Sequence, residues 1–192
     1  MTQSKRILVL GIGNLLYGDE GIGVHMVQLL KRKYRFSGAS TLDIVDGGTL
    51  AHALIPLIAQ YDHLIVIDTV NANNARPGEV YWFDFDKAPS EVDWQGSAHE
   101  VEMLQTLNMM DMVGDRPPTF VLGVVPKVID SMSFELSTPV REAVPTMERT
   151  LLNYLNCLQV EHQLQQELSI DQVSASAAHY LSEEHEQAEI RI

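Results

Sequence analysis

The stretch that decides the fold is GIGNLLYGDEGIG, residues 11–23. The apolar run RILVL (6–10) precedes it, and VHMVQLLKRKY (24–34), with apolar residues at helical spacing, follows it. A strand, a glycine-rich loop and a helix in this order are typical of phosphate-binding loops in α/β proteins. This loop, however, ends in Asp19 and Glu20, where a phosphate would need positive charge. The sequence therefore predicts an α/β start but leaves the ligand of the loop open.

The spacing of the glycines argues against a nucleotide. In the dinucleotide pattern G-x-G-x-x-G the third glycine would come two residues earlier than Gly18 does after Gly11 and Gly13. A phosphate loop of the G-K-S/T type is also missing, because no lysine occurs between Lys5 and Lys31. Acidic side chains at the start of the helix would already occupy its positive end. A nucleotide-binding α/β domain is therefore a disfavoured alternative.

Short apolar runs alternate with amphipathic stretches along the first 160 residues. This alternation predicts one α/β domain over residues 1–160, with a mainly parallel, twisted five-stranded sheet and helices on both faces. The expected strands are Arg6–Leu10, Thr41–Val45, His63–Val70, Glu79–Phe85 and Thr119–Val125, the fourth being an edge or antiparallel strand. The expected helices are Gly21–Tyr34, Leu50–Ala59, Ala98–Asp111 and Pro139–Leu158, and Pro145 predicts a kink or a late start in the last one.

Residues 161–192 have a different character, since they contain seven acids and one base. Helical spacing continues to about Leu168, and beyond it we expect a mobile acidic tail outside the domain.

Composition excludes several classes of partner. The formal net charge of −13 argues against nucleic acid and against an anionic membrane surface. The single cysteine, Cys157, excludes an internal disulfide, and its place in the last amphipathic helix predicts a packed thiol. No secretory signal and no apolar window of membrane-spanning length is present, so we expect a cytoplasmic protein. The absence of a long apolar edge or heptad pattern favours a monomer.

Three side chains are predicted to meet at the carboxyl edge of the sheet, where open α/β sheets bind ligands. Glu20 follows the first strand, Asp68 closes the strand HLIVID (63–68), and His99 opens the third helix. Two carboxylates and an imidazole suit a divalent ion such as zinc, copper or nickel. Each residue also has a simpler explanation, since acids often end strands and a lone histidine is often a cap or a surface residue. For Asp19 the simpler explanation, a helix cap, is preferred.

The sequence resembles the hydrogenase maturation proteases in several segments taken together. These segments are LGIGNLLYGDEGIGVHMV (10–27), IVDGGT (44–49), HLIVIDTV (63–70), a histidine at 99 and FVLGVVP (120–126). The resemblance covers residues 5–158, and the segment from 161 onward lies outside it. It implies an endopeptidase that removes the C-terminal extension from the precursor of the nickel–iron hydrogenase large subunit.

The resemblance also implies roles for single residues. Glu20, Asp68 and His99 are expected to bind metal, namely the nickel that the precursor already carries, although other divalent ions could occupy the same site. Asp46, in DGGT, is expected to help recognise or cleave the substrate. An alternative is that this segment is structural, with Gly47 and Gly48 turning the chain at positive φ. A second alternative for the whole protein is a non-catalytic, nickel-sensing chaperone that docks on the precursor.

No standard protease machinery is visible in the sequence. There is no G-x-S-x-G motif, and Met103 stands where the zinc-protease motif H-E-x-x-H would need its second histidine. His25 falls on the polar face of the first helix and is expected to be solvated, while His52 and His63 are assigned no role. The sequence thus names metal ligands, and Asp46 as a catalytic candidate, but no certain nucleophile or general base.

Overall fold

The computed structural model describes residues 4–49, 51–93, 98–127 and 133–177, with side chains for all of them except 93 and 98–100. The strands are β1 (Arg6–Ile12), β2 (Tyr34–Gly38), β3 (Thr41–Gly48), β4 (His63–Thr69), β5 (Asn71–Ala72), β6 (Val80–Asp84), β7 (Val92–Asp93), β8 (Thr119–Val124) and β9 (Val160–Leu164). The helices are α1 (Ile22–Lys33), α2 (Ile55–Ile58), α3 (Ala98–Val113), α4 (Thr138–Cys157) and α5 (170–177).

Five of the strands form the central sheet, in the order β3-β1-β4-β8-β6. The pairs of β1 with β3, β1 with β4 and β4 with β8 are parallel, whereas β6 runs antiparallel to β8 at one edge. The central strands β1 and β4 are rich in Ile, Leu and Val because both of their faces are covered. The sheet confirms the predicted five-stranded, mainly parallel architecture and the antiparallel edge strand.

Helices cover both faces of this sheet, as predicted. Because side chains alternate along a strand, Ile7 and Val9 of β1 pack with α1 and α4, while Leu8 and Leu10 pack with α2 and α3. The first layer is the larger one and includes the fully buried helix residues Ile22, Met26, Leu30, Val140, Met147 and Leu151. The second layer includes Ala51, Ile58, Met103, Leu107 and Met110.

The start of α1 lies directly on the backbone of the two central strands. A Cβ atom at Gly23 would stand 2.2 Å from the carbonyl oxygen of Ile12 and 2.3 Å from that of Ile67. Both distances are far below van der Waals contact, so a side chain here would push the helix off the sheet. Glycine at this position therefore sets the distance between α1 and the carboxyl ends of β1 and β4.

The predicted helices agree with the observed ones to within a few residues, with two corrections. The second predicted helix is a short 3₁₀ turn, Ala51–Leu54, followed by α2, and Leu50 lies outside the described residues. The late start considered for the last helix is wrong, because α4 begins at Thr138 and continues through Pro145. Buried neighbours such as Val144 and Met147 hold the helix together despite the missing N–H of the proline.

The helical continuation predicted up to Leu168 is also wrong. The chain leaves α4, turns at Gln159 with φ of 63°, and forms β9, which pairs antiparallel with β2 outside the central sheet. It then enters α5, where Ile170 and Val173 are 6% and 2% exposed and belong to the larger core layer. The folded chain thus extends beyond the expected boundary at 160, and residues 178–192 of the predicted tail lie outside the described residues.

Cys157 does not have the packed thiol that its sequence context predicts. It is exposed in the last turn of α4, whereas Leu151 and Leu155 of the same helix are buried. The buried stripe of α4 therefore passes beside Cys157 and excludes it from the core. Within the described residues, none of the helices has the length and apolarity that crossing a membrane requires.

Replacing Val173 by alanine should show that α5 belongs to the domain. Removing two buried methyl groups is expected to lower the free energy of unfolding by about 2 kcal/mol. The measurement is urea unfolding followed by circular dichroism. Asp171→Ala is the matched control on the same helix; its 3.6 Å ion pair with Arg141 is exposed, so its effect should stay within about 0.5 kcal/mol. Equal effects of the two substitutions would mean that α5 does not stabilise the core.

Candidate functional site

Glu20 is held in a tight turn at the carboxyl edge of the sheet. The turn is a 3₁₀ helix, Gly18–Gly21, that connects the loop after β1 to α1, and Glu20 within it is only 4% exposed. Gly18 adopts a φ of 59° and donates its N–H to the carbonyl oxygen of Ser133 at 2.7 Å. The turn also contacts β4. The backbone of Glu20 is therefore fixed from both sides.

Asp19 has a different role from the helix cap that the sequence suggests. Its carboxylate accepts hydrogen bonds from the backbone N–H of Lys127 at 2.9 Å, and from both the N–H and the hydroxyl of Ser137 at 2.6 and 2.7 Å. The side chain is 1% exposed, and the residue at the N-cap position of α1 is Gly21 rather than Asp19. The cap prediction is wrong: Asp19 joins the glycine loop to the segment after β8 and to the residue before α4.

Asp68 lies near the end of β4, at the same edge. It is 5% exposed, it is opposite Gly123 of β8, and its Oδ1 accepts the N–H of Thr69 at 2.7 Å. Its neighbour Ile67 is the residue whose carbonyl oxygen faces Gly23 of α1. The close approach at Gly23 thus brings the turn that carries Glu20 next to the strand end that carries Asp68.

His99 is the second residue of α3, and its side chain lies outside the described set. Among the side chains that the structure describes, no group of three or more His, Cys, Asp and Glu residues is arranged to hold a metal ion. Glu20 and Asp68 are thus placed at the predicted edge, and the metal role of the three residues stays a prediction.

Asp46 lies near the end of the neighbouring strand β3, at the same edge. It pairs with Gly11 of β1, and its Oδ1 accepts the N–H of Gly48 at 3.0 Å. Gly48 has the positive φ that the sequence predicts, 54°, but Gly47 does not. A Cβ at Gly47 would lie 2.7 Å from the Cδ1 of Ile12, so the end of that side chain would have to move to make room for it.

A cavity of about 580 Å³ opens beside Asp46, between α1 and α5. Its wall is formed by Leu15, Val24, His25, Gln28, Arg32, Asp46, Val173, Ser176 and Ala177. The sequence does not reveal this cavity, because residues 170–177 are predicted to belong to a mobile tail and not to a helix of the domain.

His25 is not solvated, contrary to the prediction. It is 0% exposed, and burial lowers the pKa of its ring to about 4, an effect that the nearby backbone of Phe134 partly opposes. Neither ring nitrogen makes a hydrogen bond of normal geometry within the described residues. The polar face of α1 is therefore covered at this point by segments far away in sequence.

His52 and His63, which have no role assigned from the sequence, have partners that the sequence does not reveal. His52 Nδ1 lies 3.0 Å from Glu102 Oε1, and His63 Nε2 lies 3.0 Å from the hydroxyl of Tyr154. Burial lowers the pKa of His63 to about 4. Because His63 is at the start of β4 and Asp68 near its end, His63 is remote from the acidic edge.

The mainly parallel sheet covered by helices makes this an α/β protein, and the buried acids at its carboxyl edge mark the candidate site. Comparisons with known proteins then identify the family. The family model described as "Hydrogenase maturation protease" matches residues 24–154, a range that includes Asp46, Asp68 and His99 and begins just after Glu20. The chain belongs to the hydrogenase maturation protease family, and it is thereby a peptidase.

Individual relatives agree with this assignment. Protein HydD of Wolinella succinogenes is 51% identical over 152 residues, which are 79% of this chain and 96% of that protein. The hydrogenase 2 maturation protease of Escherichia coli is 33% identical over 150 residues, 76% of this chain and 88% of that protein. Among solved structures, the hydrogenase maturating endopeptidase HybD of E. coli superposes with a TM-score of 0.75 at 28% identity, covering 83% of this chain and 98% of that one.

Asp19→Ala should destabilise the protein, because the carboxylate of Asp19 holds the glycine loop to Lys127 and Ser137. Three donors lose a buried charged acceptor, so the free energy of unfolding is expected to fall by about 3 kcal/mol in urea denaturation. Ser137→Ala, which removes one of the three donors, should cost about 1 kcal/mol. A loss below that of Ser137→Ala would show that the contacts of Asp19 do not hold the loop.

Proposed function

We propose that this protein removes the C-terminal extension from the precursor of a nickel–iron hydrogenase large subunit after nickel has been inserted. In this proposal Glu20, Asp68 and His99 contact the nickel of the precursor, which enters the site as part of the substrate. A zinc or another divalent ion could occupy the same ligands.

The observation that carries the proposal is the pair of buried carboxylates at the carboxyl edge. Glu20 and Asp68 are each no more than 5% exposed, and they sit at the ends of elements that the contact at Gly23 brings together. Ligands of open α/β sheets bind at this edge. Carboxylate oxygens, completed by an imidazole from the start of α3, form a donor set that suits nickel or zinc. The similar solved structure of the [NiFe] hydrogenase maturation protease HybD from Thermococcus kodakarensis refers to a nickel–iron enzyme, and this supports nickel as the physiological ion.

The remaining steps are assigned to residues of this chain. Nickel near the scissile bond would polarise the carbonyl group that is attacked. Glu20, Asp68 and His99 orient the precursor through its nickel, so that the bond to be cut lies beside β3. There Asp46 accepts a proton from the attacking water and returns it to the amine of the departing extension. Release of that extension completes the hydrolysis.

The direct test uses two forms of the precursor, one loaded with nickel and one free of it, each incubated with the purified protein. Intact-mass spectrometry should show loss of a C-terminal fragment from the nickel-loaded form alone. Glu20→Gln, Asp68→Asn and His99→Gln keep the size of each side chain but weaken its metal binding. Each is expected to slow cleavage at least about 100-fold. Substitution of a residue that only hydrogen-bonds to a metal ligand already lowers metal affinity or activity 10- to 100-fold.

Asn156→Ala near the end of α4 and His162→Ala on β9 serve as controls. Both residues are exposed, and the end of α4 lies at the opposite edge of the sheet, where Tyr154 contacts His63 at the start of β4. Cleavage of both precursor forms at equal rates would contradict nickel sensing. Binding of the precursor without any cleavage would instead identify a docking chaperone.

Asp46→Asn separates proton transfer from recognition. The amide cannot accept the proton, so single-turnover cleavage of the nickel-loaded precursor should slow by about 100-fold. The dissociation constant of the precursor, measured separately by fluorescence anisotropy, should change less than about threefold. An unchanged cleavage rate would remove Asp46 from the chemistry, and a weakened affinity with a normal rate would make it a recognition residue.

A further inference from the structure

Two large apolar side chains are exposed on the glycine loop, immediately before the turn that carries Glu20. Leu16 is 38% exposed and Tyr17 is 39% exposed, and the preceding Leu15 is partly exposed as well. Single exposed apolar residues are common on protein surfaces, whereas an exposed run of consecutive apolar residues is unfavourable unless it serves a function. We call Leu16 and Tyr17 the apolar patch.

Hydrogen bonds on both sides fix the backbone of the apolar patch. Leu16 donates its N–H to Oδ1 of Asn14 at 3.0 Å, and Tyr17 donates its N–H to the carbonyl oxygen of Asn14 at 3.1 Å. From the other side, Ser133 donates its N–H to the carbonyl oxygen of Leu16 at 3.1 Å, and its own carbonyl oxygen accepts the N–H of Gly18 at 2.7 Å. The backbone under the patch is therefore ordered before any partner binds, which lowers the entropy cost of binding.

The apolar patch lies at the carboxyl edge of the sheet, next to Glu20. Glu20 donates its N–H to the carbonyl oxygen of Tyr17 at 3.3 Å, so a single turn of chain separates the two residues. The other large apolar side chains that are exposed in the described part of the chain are Met109, Met112 and Val113 at the end of α3 and Leu164 at the end of β9. The end of α3 lies toward the opposite edge of the sheet, because it leads into the start of β8.

The proposed function determines what this surface meets. The nickel ion that Glu20 contacts is carried by the precursor, so the protein surface around that nickel comes against the residues beside Glu20. Tyr17 is one turn away and presents a ring that can bury apolar area while its hydroxyl stays hydrated. Tyrosine is enriched in protein–protein interfaces for this reason.

We propose that the apolar patch binds apolar side chains of the precursor that lie next to its nickel, and that Leu16 and Tyr17 thereby position the precursor for cleavage. The assignment rests on the proposed function, since the precursor is the partner that brings nickel to Glu20. Leu16 and Tyr17 are positioning residues, and they take no part in the cleavage chemistry.

Leu16→Ser and Tyr17→Ser test the patch without changing the proposed metal ligands or Asp46. With the nickel-loaded precursor, each is expected to raise KM and the dissociation constant about tenfold, as the loss of a central interface side chain does, and to leave kcat within about twofold of the wild type. Tyr17→Phe keeps the aromatic ring and should restore KM to within about twofold of the wild type. Cleavage kinetics give KM and kcat, and fluorescence anisotropy gives the dissociation constant.

Leu164→Ser on β9 and Met112→Ser on α3 are the matched controls. Each removes an exposed apolar side chain that lies away from the glycine loop. Neither should change KM more than about twofold, because a surface substitution outside an interface has little effect. The unfolding midpoints of all variants in urea identify any loss of folding.

A photo-crosslinking side chain reports the contact itself and does not depend on the serine variants being folded. Tyr17→p-benzoylphenylalanine keeps an aromatic ring at this position and should crosslink to the nickel-loaded precursor on irradiation. Met112→p-benzoylphenylalanine, on the far part of α3, should not. Mass spectrometry of the digested adduct identifies the segment that is attached to position 17.

The outcomes separate the two proposals. Normal cleavage by the wild type, with no crosslink from position 17 and with KM of the patch variants equal to that of the controls, would overturn the patch assignment and leave the protease function standing. Binding of the precursor without cleavage, weakened by Tyr17→Ser, would overturn the function and support the patch. Crosslinks from position 17 only to a second copy of this chain, or only to the chain itself, would assign the patch to that occupant and overturn the proposal.

Discussion

The contact between Gly23 and the carbonyl oxygens of Ile12 and Ile67 is the constraint on which the site depends. It seats the first turn of α1 on β1 and β4 at once, at a distance that no side chain would allow. This position of the helix places the preceding 3₁₀ turn, Gly18–Gly21, beside the end of β4. Two carboxylates that are 48 residues apart in sequence, Glu20 and Asp68, reach the same edge for this reason.

The two adjacent acids of the loop, Asp19 and Glu20, have different roles. Asp19 accepts three hydrogen bonds from Lys127 and Ser137. Its carboxylate therefore holds the loop to the segment after β8 and to the residue before α4. Glu20 is thereby held as a buried carboxylate at the edge where ligands bind. A charged group used for structure can thus position its neighbour. In the proposed function this division of roles explains why two acids stand where a phosphate loop would have cations.

The central sheet was predictable because its signal is local. Runs such as HLIVID show the continuous apolar character of a strand buried on both faces. The polar turn before β6 predicts that β6 is an edge strand of the sheet. The positions of Glu20, Asp46 and Asp68 followed from the strand ends. The β2–β9 pair, the burial of His25 and the contacts of Asp19 were not predictable, because each depends on segments more than 100 residues apart or on a helix whose apolar residues are few. The burial of Cys157 was predicted wrongly for a related reason. Composition alone does not distinguish a position on the buried stripe of α4 from a position next to that stripe.

The inclusion of Val160, Ile170 and Val173 in the larger core layer has a consequence for how the protein is made. The ribosome delivers β1 and α1 first, but the apolar surface around Val24 is closed by residues that appear about 150 positions later. At 5–20 residues per second, the interval lasts on the order of 10 seconds. During translation the nascent chain therefore carries an open hydrophobic face and an incomplete cavity, and both close when the last part of the domain leaves the exit tunnel.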